Sequence, residues 1–356
     1  MPWSPILVRV MNDGELSGVR IGHPLIDDYL SLVAARCRPN TLLATGHDLK
    51  VFFRIVGKEP AAVVPADVFA FITAQRAPRR GNRVIRLEDG EKGLSARTIK
   101  RRLASVSGLY SYLLARGDAG VTTNPVPRGL ATRWSPGGGR ARNVPLLRTP
   151  RTLPRVLLPE EVDALVSSLR TRRDRALVEA MLFGGLRRCE VLGLALNDLS
   201  PGERRVRIRN GKGGHERTVP ISSRFFAAVA VYLADERPLD ATSDALFLVL
   251  KGPRRGQPLS AAGVDEILSG ARRRAGLRQA TCHMLRHTCL TRLREAGMPL
   301  EALQAQAGHR SINSTRVYLH LSNSWLASEY ERAVQSLEAD LGDDTGANEA
   351  DVEAQP

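Results

Sequence analysis

Between positions 283 and 318 the chain gathers side chains that can do chemistry on a phosphate: His283, Arg286, His287, His309 and Tyr318. His283 and Arg286 are three residues apart, so a helix puts them on one face. Leu285, Leu290, Leu293 and Met298 would cover the opposite, buried side, and Gly297 would end the helix in the left-handed conformation. Leu300, Leu303 and Ala307 predict a second helix stopped by Gly308, which leaves His309 on the turn that follows. An arginine fork binds phosphate oxygens in pairs. An imidazole exchanges a proton near neutral pH, and a phenol can serve as a covalent nucleophile. The segment has no paired carboxylates, no Cys-x-x-Cys and no glycine-rich phosphate loop. These residue types together point to attack of a phenol on a phosphodiester.

A metal reading competes locally. His283 and His287 are four apart, as in zinc proteases, but the residues between them are Met284, Leu285 and Arg286, so the general-base glutamate of His-Glu-x-x-His is missing. An arginine there would repel a dication, and Cys282 and Cys289 lack zinc spacing. No metal is expected. His287 reads as a structural histidine, and Tyr330 ranks behind Tyr318 as nucleophile.

The same residues carry a family resemblance. His283-x-x-Arg286, then Gly308-His309-x-Ser311-Ile312, with Tyr318 nine positions past the histidine, resembles the C-terminal signature of the tyrosine recombinases, the phage integrase family. Upstream, Gly185-x-Arg187-x-x-Glu190 is similar to the family's first arginine box, although the family more often has threonine where Gly184 stands. Lys212, near the Asn210-Gly211 turn, resembles the family's β-hairpin lysine. The resemblance implies a catalytic set of Arg187, Lys212, His283, Arg286, His309 and Tyr318, with Glu190 supporting Arg187. Arg187 and Arg286 would hold the non-bridging phosphate oxygens, His283 would accept the phenol proton, and His309 would hydrogen-bond the phosphate. Lys212 would protonate the leaving 5′ oxygen. The expected product is a 3′-phosphotyrosyl linkage, formed without metal or other cofactor.

Elements must bring these residues together. Residues 1–20 read as a flexible arm. Residues 21–120 show helical periodicity: Leu25, Tyr29, Leu32 and Val33 form a stripe, Thr41 looks like an N-cap, and Ser95 caps a helix carrying Ile99, Leu103, Val106, Leu109 and Leu113 on one side. Lys100, Arg101 and Arg102 crowd that helix's first turns against its dipole, which an external anion would relieve. The resemblance makes this region a helical DNA-clamping domain. Residues 121–156, rich in proline, glycine and arginine, read as an extended linker. A catalytic domain follows over 157–338. Its apolar helix over 174–183 stops at Gly184-Gly185. Its strand alternates Val206 and Ile208 with Arg205, Arg207 and Arg209 before a hairpin turn. Residues 245–250 read as a short apolar strand and 325–337 as an amphipathic helix that in the family packs on a neighbouring subunit. Residues 339–356 read as an acidic disordered tail. The expected fold class is mainly α with a small antiparallel β-sheet (α+β), in two domains.

At 356 residues the chain is long enough for two cores, and a formal charge of +15 suggests a polyanionic partner. Arginine dominates that charge: only six of the 52 basic residues are lysine, which draws attention to Lys212. DNA contacts are expected from Lys100, Arg101, Arg102, Arg140, Arg142, Arg207 and Arg209. The partner is expected to be double-stranded DNA, with a tetramer on paired sites and a monomer or weak dimer in solution. No apolar stretch is long enough to span a bilayer, no signal peptide is evident, and the four cysteines lack a disulfide framework. A cytoplasmic, nucleoid-associated protein is therefore expected. The sequence predicts a site-specific recombinase or integrase acting in integration and recombination of a mobile element. The alternatives are type IB topoisomerase-like relaxation and a non-catalytic DNA-binding regulator, and the intact residue set argues against the latter.

Overall fold

The computed structural model describes residues 3–12, 14–77, 93–131, 143–148, 155–209, 216–309, 311–319, 330–331 and 334–335. The chain divides into two compact units, Met1–Arg151 and Thr152–Pro356.

In the first unit, strand β1 (Val8–Asn12) pairs antiparallel with β2 (Glu15–Arg20), with a register shift between Val10 and Met11. Val19 and Ile21 are buried, and the Trp3 ring meets Phe53 edge-on at 5.4 Å. The expected flexible arm is instead a hairpin. Leu16 and Val19 of β2, with flanking Leu7 and Ile21, pack on the helical core while all of β1 is exposed, so no strict alternation marks the hairpin. Helices α1 (Pro24–Arg36), α2 (Pro39–Val56), α3 (Pro65–Arg76) and α4 (Ala96–Arg116) follow. The first three begin on a proline, whose fixed φ suits the first helical position and whose missing N–H costs nothing there. Pro39 therefore starts α2 ahead of Thr41, the expected cap, which becomes an interior residue. In α1 the buried stripe is Ile26, Leu30 and Val33, displaced from the expected one, and Leu32 is exposed. Ser95 does cap α4, accepting from the Thr98 amide.

Two of the three cations at the start of α4, Arg101 and Arg102, find partners within the fold. Buried Asp48 accepts from Arg101 Nη2 at 2.8 Å and from Ser105 Oγ at 2.9 Å, and Arg102 turns inward to Gln75. Residues 121–131 and 143–148 of the expected linker also belong to this unit. β3 (Leu130–Ala131) pairs with β4 (Asn143–Val144), Asn124 Nδ2 donates to Ser107 of α4, and Val126, Leu146 and Leu147 pack on the helical core. Apolar side chains spaced among the prolines bind it back, an effect that average composition hides.

The second unit comprises α5 (Pro159–Ser167), α6 (Arg172–Gly184), α7 (Arg188–Leu192), β5 (Leu199–Ser200), β6 (Arg205–Ile208), β7 (Arg217–Pro220), α8 (Ser223–Asp235), α9 (Ala261–Arg274), α10 (Cys282–Glu295) and α11 (Leu300–Ala307). Helix α6 is its centre: Ala176, Leu177, Val178, Ala180 and Met181 are all fully buried, so no face of it reaches solvent along that stretch. Each such large side chain contributes about 1.5–3 kcal/mol. The sheet order is β5-β6-β7, all antiparallel, with Val206 opposite Val219 and Ile208 opposite Arg217. The run over 245–250 is not a strand of this sheet: it makes isolated bridges, Ala195 to Ala245 and Leu248 to Pro258, while Leu246, Phe247 and Leu248 fill the core. The expected helix over 325–337 lies largely outside the described residues; Tyr330, assigned to its packed side, is exposed. The acidic tail lies outside them entirely. Among the described residues no helix is long and apolar enough to cross a membrane.

Candidate active site

Three stretches of the second unit converge: the α6–α7 turn, the first residue of β7, and α10 with the segment from α11 to Tyr318. Helix α6 stops because Gly185 takes φ +63°, and a Cβ there would press within 3.3 Å of Leu290. The reversal sets Arg187 at the N-cap of α7. Its amide donates to Glu190 Oε2 at 2.9 Å, Nη1 to Oε1 at 2.7 Å, and Nη2 to the Gly308 carbonyl at 3.2 Å. Neighbouring Arg188 points elsewhere, to Asp265 on α9.

Glu190 is the hub. Its side chain is fully buried, yet it also accepts Nη1 and Nη2 of Arg217, each at 3.0 Å, and lies 3.9 Å from Arg286 Nη1. Burial pushes its pKa up, but the Arg217 hydrogen bond, the Arg187 amide and both guanidinium charges outweigh burial and hold it below the usual carboxylate range. Three guanidiniums thus share one carboxylate, leaving a local excess of positive charge facing an incoming anion. Arg286 is 3% exposed and donates from Nη2 to the Ala307 carbonyl at 2.6 Å and from Nη1 to the Gly185 carbonyl. Burial, then Arg187 beside it, brings its pKa down to about 10, so it stays charged at neutral pH.

Gly308 ends α11 in the left-handed conformation, φ +59°, which turns the chain so that His309 faces the arginines. His309 Nε2 lies 3.2 Å from Arg286 Nη2, and Nδ1 lies 3.0 Å from Thr315 Oγ1. Arginine can only donate, so Nε2 accepts there and Nδ1 carries the proton. The His309 and Tyr318 rings are nearly parallel, 6.5 Å apart. Tyr318 is 1% exposed, and its hydroxyl lies 2.8 Å from His287 Nδ1. His287 Nε2 in turn lies 2.8 Å from Nε2 of exposed His283. Burial raises the Tyr318 pKa to about 12 against the pull of Arg286. Burial, then His283 and Arg286, lowers His287 to about 4. Burial, Arg286 and Arg187 also lower His283.

Arg187, Glu190, His283, Arg286, His309 and Tyr318 therefore come together. The phenol's imidazole partner is His287, however, and His283, the expected proton acceptor, meets it only through His287. The reason is helical geometry: residue 287 lies one turn further along α10, on the side where Tyr318 docks. Lys212, Arg140 and Arg142 lie outside the described residues. Of the other residues expected to contact DNA, Lys100 is exposed, Arg207 pairs with Glu216 at 2.6 Å and Arg209 with buried Asp198 at 2.6 Å, while Arg101 and Arg102 face the first unit's own interior groups. Sequence reasoning missed two residues of the site. Arg217 is in phase with Val219 and Ile221, the buried face of β7, and a charge in that register signals an internal partner. His287 shares the His283 face at four-residue spacing, a signal weighed only for metal. Among the described residues no three His, Cys, Asp or Glu side chains gather as a metal site.

The chain is similar to known proteins. Residues 155–324 match the Phage integrase family. The tyrosine recombinase XerC of Pelotomaculum thermopropionicum is 33% identical over 303 residues, covering 81% of this chain and 88% of that protein. The tyrosine recombinase XerD of Corynebacterium glutamicum is 34% identical over 247 residues, covering 66% and 73%. Among solved structures, the Tn1549 transposon integrase in complex with transposon right end DNA has a TM-score of 0.63 at 19% identity, covering 87% of this chain and 99% of that one. A lambda integrase dimer bound to a core site has a TM-score of 0.61 at 17% identity, covering 85% and 96%. At those identities the structures share the fold.

Proposed function

The chain belongs to the tyrosine recombinase family and is a site-specific recombinase; from that premise we propose that it cuts and rejoins duplex DNA through a 3′-phosphotyrosyl intermediate at Tyr318. The observation that carries this reading is the convergence of Arg187 and Arg286 on one carboxylate, with His309 between Arg286 and the Tyr318 ring. A phosphodiester entering there meets fixed positive forks. These stabilise the charge that grows on its non-bridging oxygens as the phosphorus becomes five-coordinate. With the phosphate in place His309 donates to it from Nε2, and Nδ1 then accepts from the Thr315 hydroxyl. The Tyr318 oxygen forms the new P–O bond as its proton passes to an imidazole, and the bond to the 5′ oxygen breaks. Lys212, which the sequence puts at the β6–β7 tip, delivers the proton to that oxygen. One phosphoester replaces another, so the step is close to balanced in free energy. Attack by the 5′ hydroxyl of a second strand completes exchange.

The chain's positive charge, +15, supports double-stranded DNA as the partner. Four protomers act on two paired sites, and light scattering of the protein with and without paired sites reports that assembly. The sites belong to a mobile element in whose DNA integration and recombination the protein acts. Enriching bound duplexes from a randomised pool and mapping them onto the genome tests this.

The chemistry is tested with those enriched duplexes carrying a nick, which traps the covalent complex. Wild-type protein should give an adduct that survives SDS, and Tyr318→Phe should give none. An adduct with Tyr318→Phe would remove Tyr318 as nucleophile. Relaxation of supercoiled plasmid without crossover products would favour a type IB topoisomerase-like activity, and failure of wild-type protein to form any adduct would favour a non-catalytic regulator.

A further inference from the structure

The geometry points to a two-histidine relay in which His287 takes the Tyr318 proton and passes its own to His283 at the solvent edge of the site. This rests on the reading of Tyr318 as nucleophile. One oxygen and three nitrogen atoms define it. Tyr318 OH lies 2.8 Å from His287 Nδ1, and His287 Nε2 lies 2.8 Å from His283 Nε2. The chain runs from a side chain that is 1% exposed to one that is exposed. That is the path a proton needs if the attacking oxygen is walled from water.

One tautomer assignment satisfies every link. The phenol donates to His287 Nδ1, so His287 carries its hydrogen on Nε2 and donates it to His283 Nε2, and His283 carries its hydrogen on Nδ1. As the Tyr318 oxygen bonds to phosphorus, its proton moves to His287 Nδ1. The Nε2 hydrogen moves to His283 Nε2, which becomes a cation and releases its Nδ1 proton to water. The relay then holds the opposite tautomers, and the reverse transfers during rejoining reset it. No oxidant, metal or further reactant enters the balance.

The groups around the relay explain why it works only with DNA in place. His287 faces His283 and Arg286 on its own helix and Tyr318 from the segment after α11; Arg187 bears on His283 and Tyr318 from the α6–α7 turn, and His309 stacks on the phenol from the far side. Without an anion, burial and these neighbouring charges keep both histidines uncharged acceptors while burial keeps the phenol protonated. A phosphate between the guanidiniums offsets the charges that oppose a proton on the histidines. The phenolic oxygen also loses basicity as it becomes an ester, so transfer occurs during attack rather than before it. His287 is the catalytic member, because it touches the reacting oxygen; His283 acts through it.

The test separates proton transfer from positioning. Asparagine presents a carbonyl oxygen near the Nδ1 position but cannot carry a proton onward, so His287→Asn keeps the phenol's hydrogen bond and cuts the relay. Single-turnover adduct formation on the nicked, enriched duplexes is followed from pH 5.5 to 9, with DNA affinity measured alongside. Wild-type protein should show a nearly flat rate above pH 6.5. His287→Asn should bind DNA as wild type does, form adduct about 100-fold more slowly at pH 7, as loss of acid–base catalysis typically costs, and speed up about tenfold per pH unit as hydroxide takes over. His283→Ala should show a smaller loss with the same tilt. Replacing Tyr318 by 3-fluorotyrosine, a more acidic phenol, should shrink the His287→Asn penalty; a merely structural role for His287 would leave that penalty unchanged. A His287→Asn rate within threefold of wild type across the pH range would overturn the relay and leave the nucleophile assignment standing. Absence of any adduct with wild-type protein would overturn both.

Discussion

Neutralising Glu190 should unsettle the site more than any other single change of similar size. Glu190→Gln keeps the shape of the side chain but removes the one carboxylate shared by Arg187, Arg217 and Arg286. Two parallel bonds from Arg217 and two from Arg187 would then meet an amide with only one acceptor oxygen. Its NH₂ group would face donors. Removing one partner from a buried ion pair costs about 3–5 kcal/mol. A substitution that keeps one acceptor falls at the lower end, about 3 kcal/mol. For a unit of this size about 1 kcal/mol moves the melting temperature by roughly 2–4 °C, so the expected loss at pH 7 is roughly 6–12 °C by circular dichroism. The pH dependence is fixed by the direction of the pKa. The folded protein holds Glu190 below the ordinary carboxylate value, so its contribution is complete above that value and disappears as pH falls through the lowered folded pKa. Wild type and Glu190→Gln should therefore converge in acid. Added sulfate should raise the variant's melting temperature more than the wild type's, since an anion substitutes for the missing charge. A variant melting within 1 °C of wild type at pH 7, or a gap that persists unchanged into acid, would refute the view of Glu190 as the common counter-ion.

Three further outcomes are expected. Gly308→Ala should lower the adduct rate well beyond any loss of DNA affinity, because the added Cβ would sit 2.7 Å from Arg217 Cζ and the backbone there has φ +59°; comparing single-turnover rate with binding checks this. DNA affinity should fall steeply with salt, with log affinity linear in log salt concentration, as phosphate-dominated binding requires; a flat response in filter binding would count against the basic residues as DNA contacts. Thiol titration of native protein at pH 8 should find Cys37 and Cys189 reactive, both being exposed. Cys282, whose pKa burial raises to about 11, and buried Cys289, raised to about 12, should react only after unfolding.

What the sequence settled by itself is the part of the chemistry written in local spacing. Gly308 must leave the helix before His309 can face the site, and Arg187 must follow the Gly184-Gly185 stop; both are short-range consequences of backbone preference, and both are legible without coordinates. Helix α4, with Ser95 as its cap, and the alternation of β6 are legible for the same reason. The interior of the site is different. Arg217 reaches Glu190 because β7 packs beside the α6–α7 turn, and His287 rather than His283 meets the phenol because of where α10 crosses the Tyr318 segment. The hairpin at 8–20 and the folded-back stretch around β3 and β4 were likewise hidden, since a few scattered apolar residues become core only once a helical surface exists to receive them. Spacing along one chain fixes which side chains share a face; contact between chain segments far apart in sequence depends on packing, and there only the tertiary structure decided.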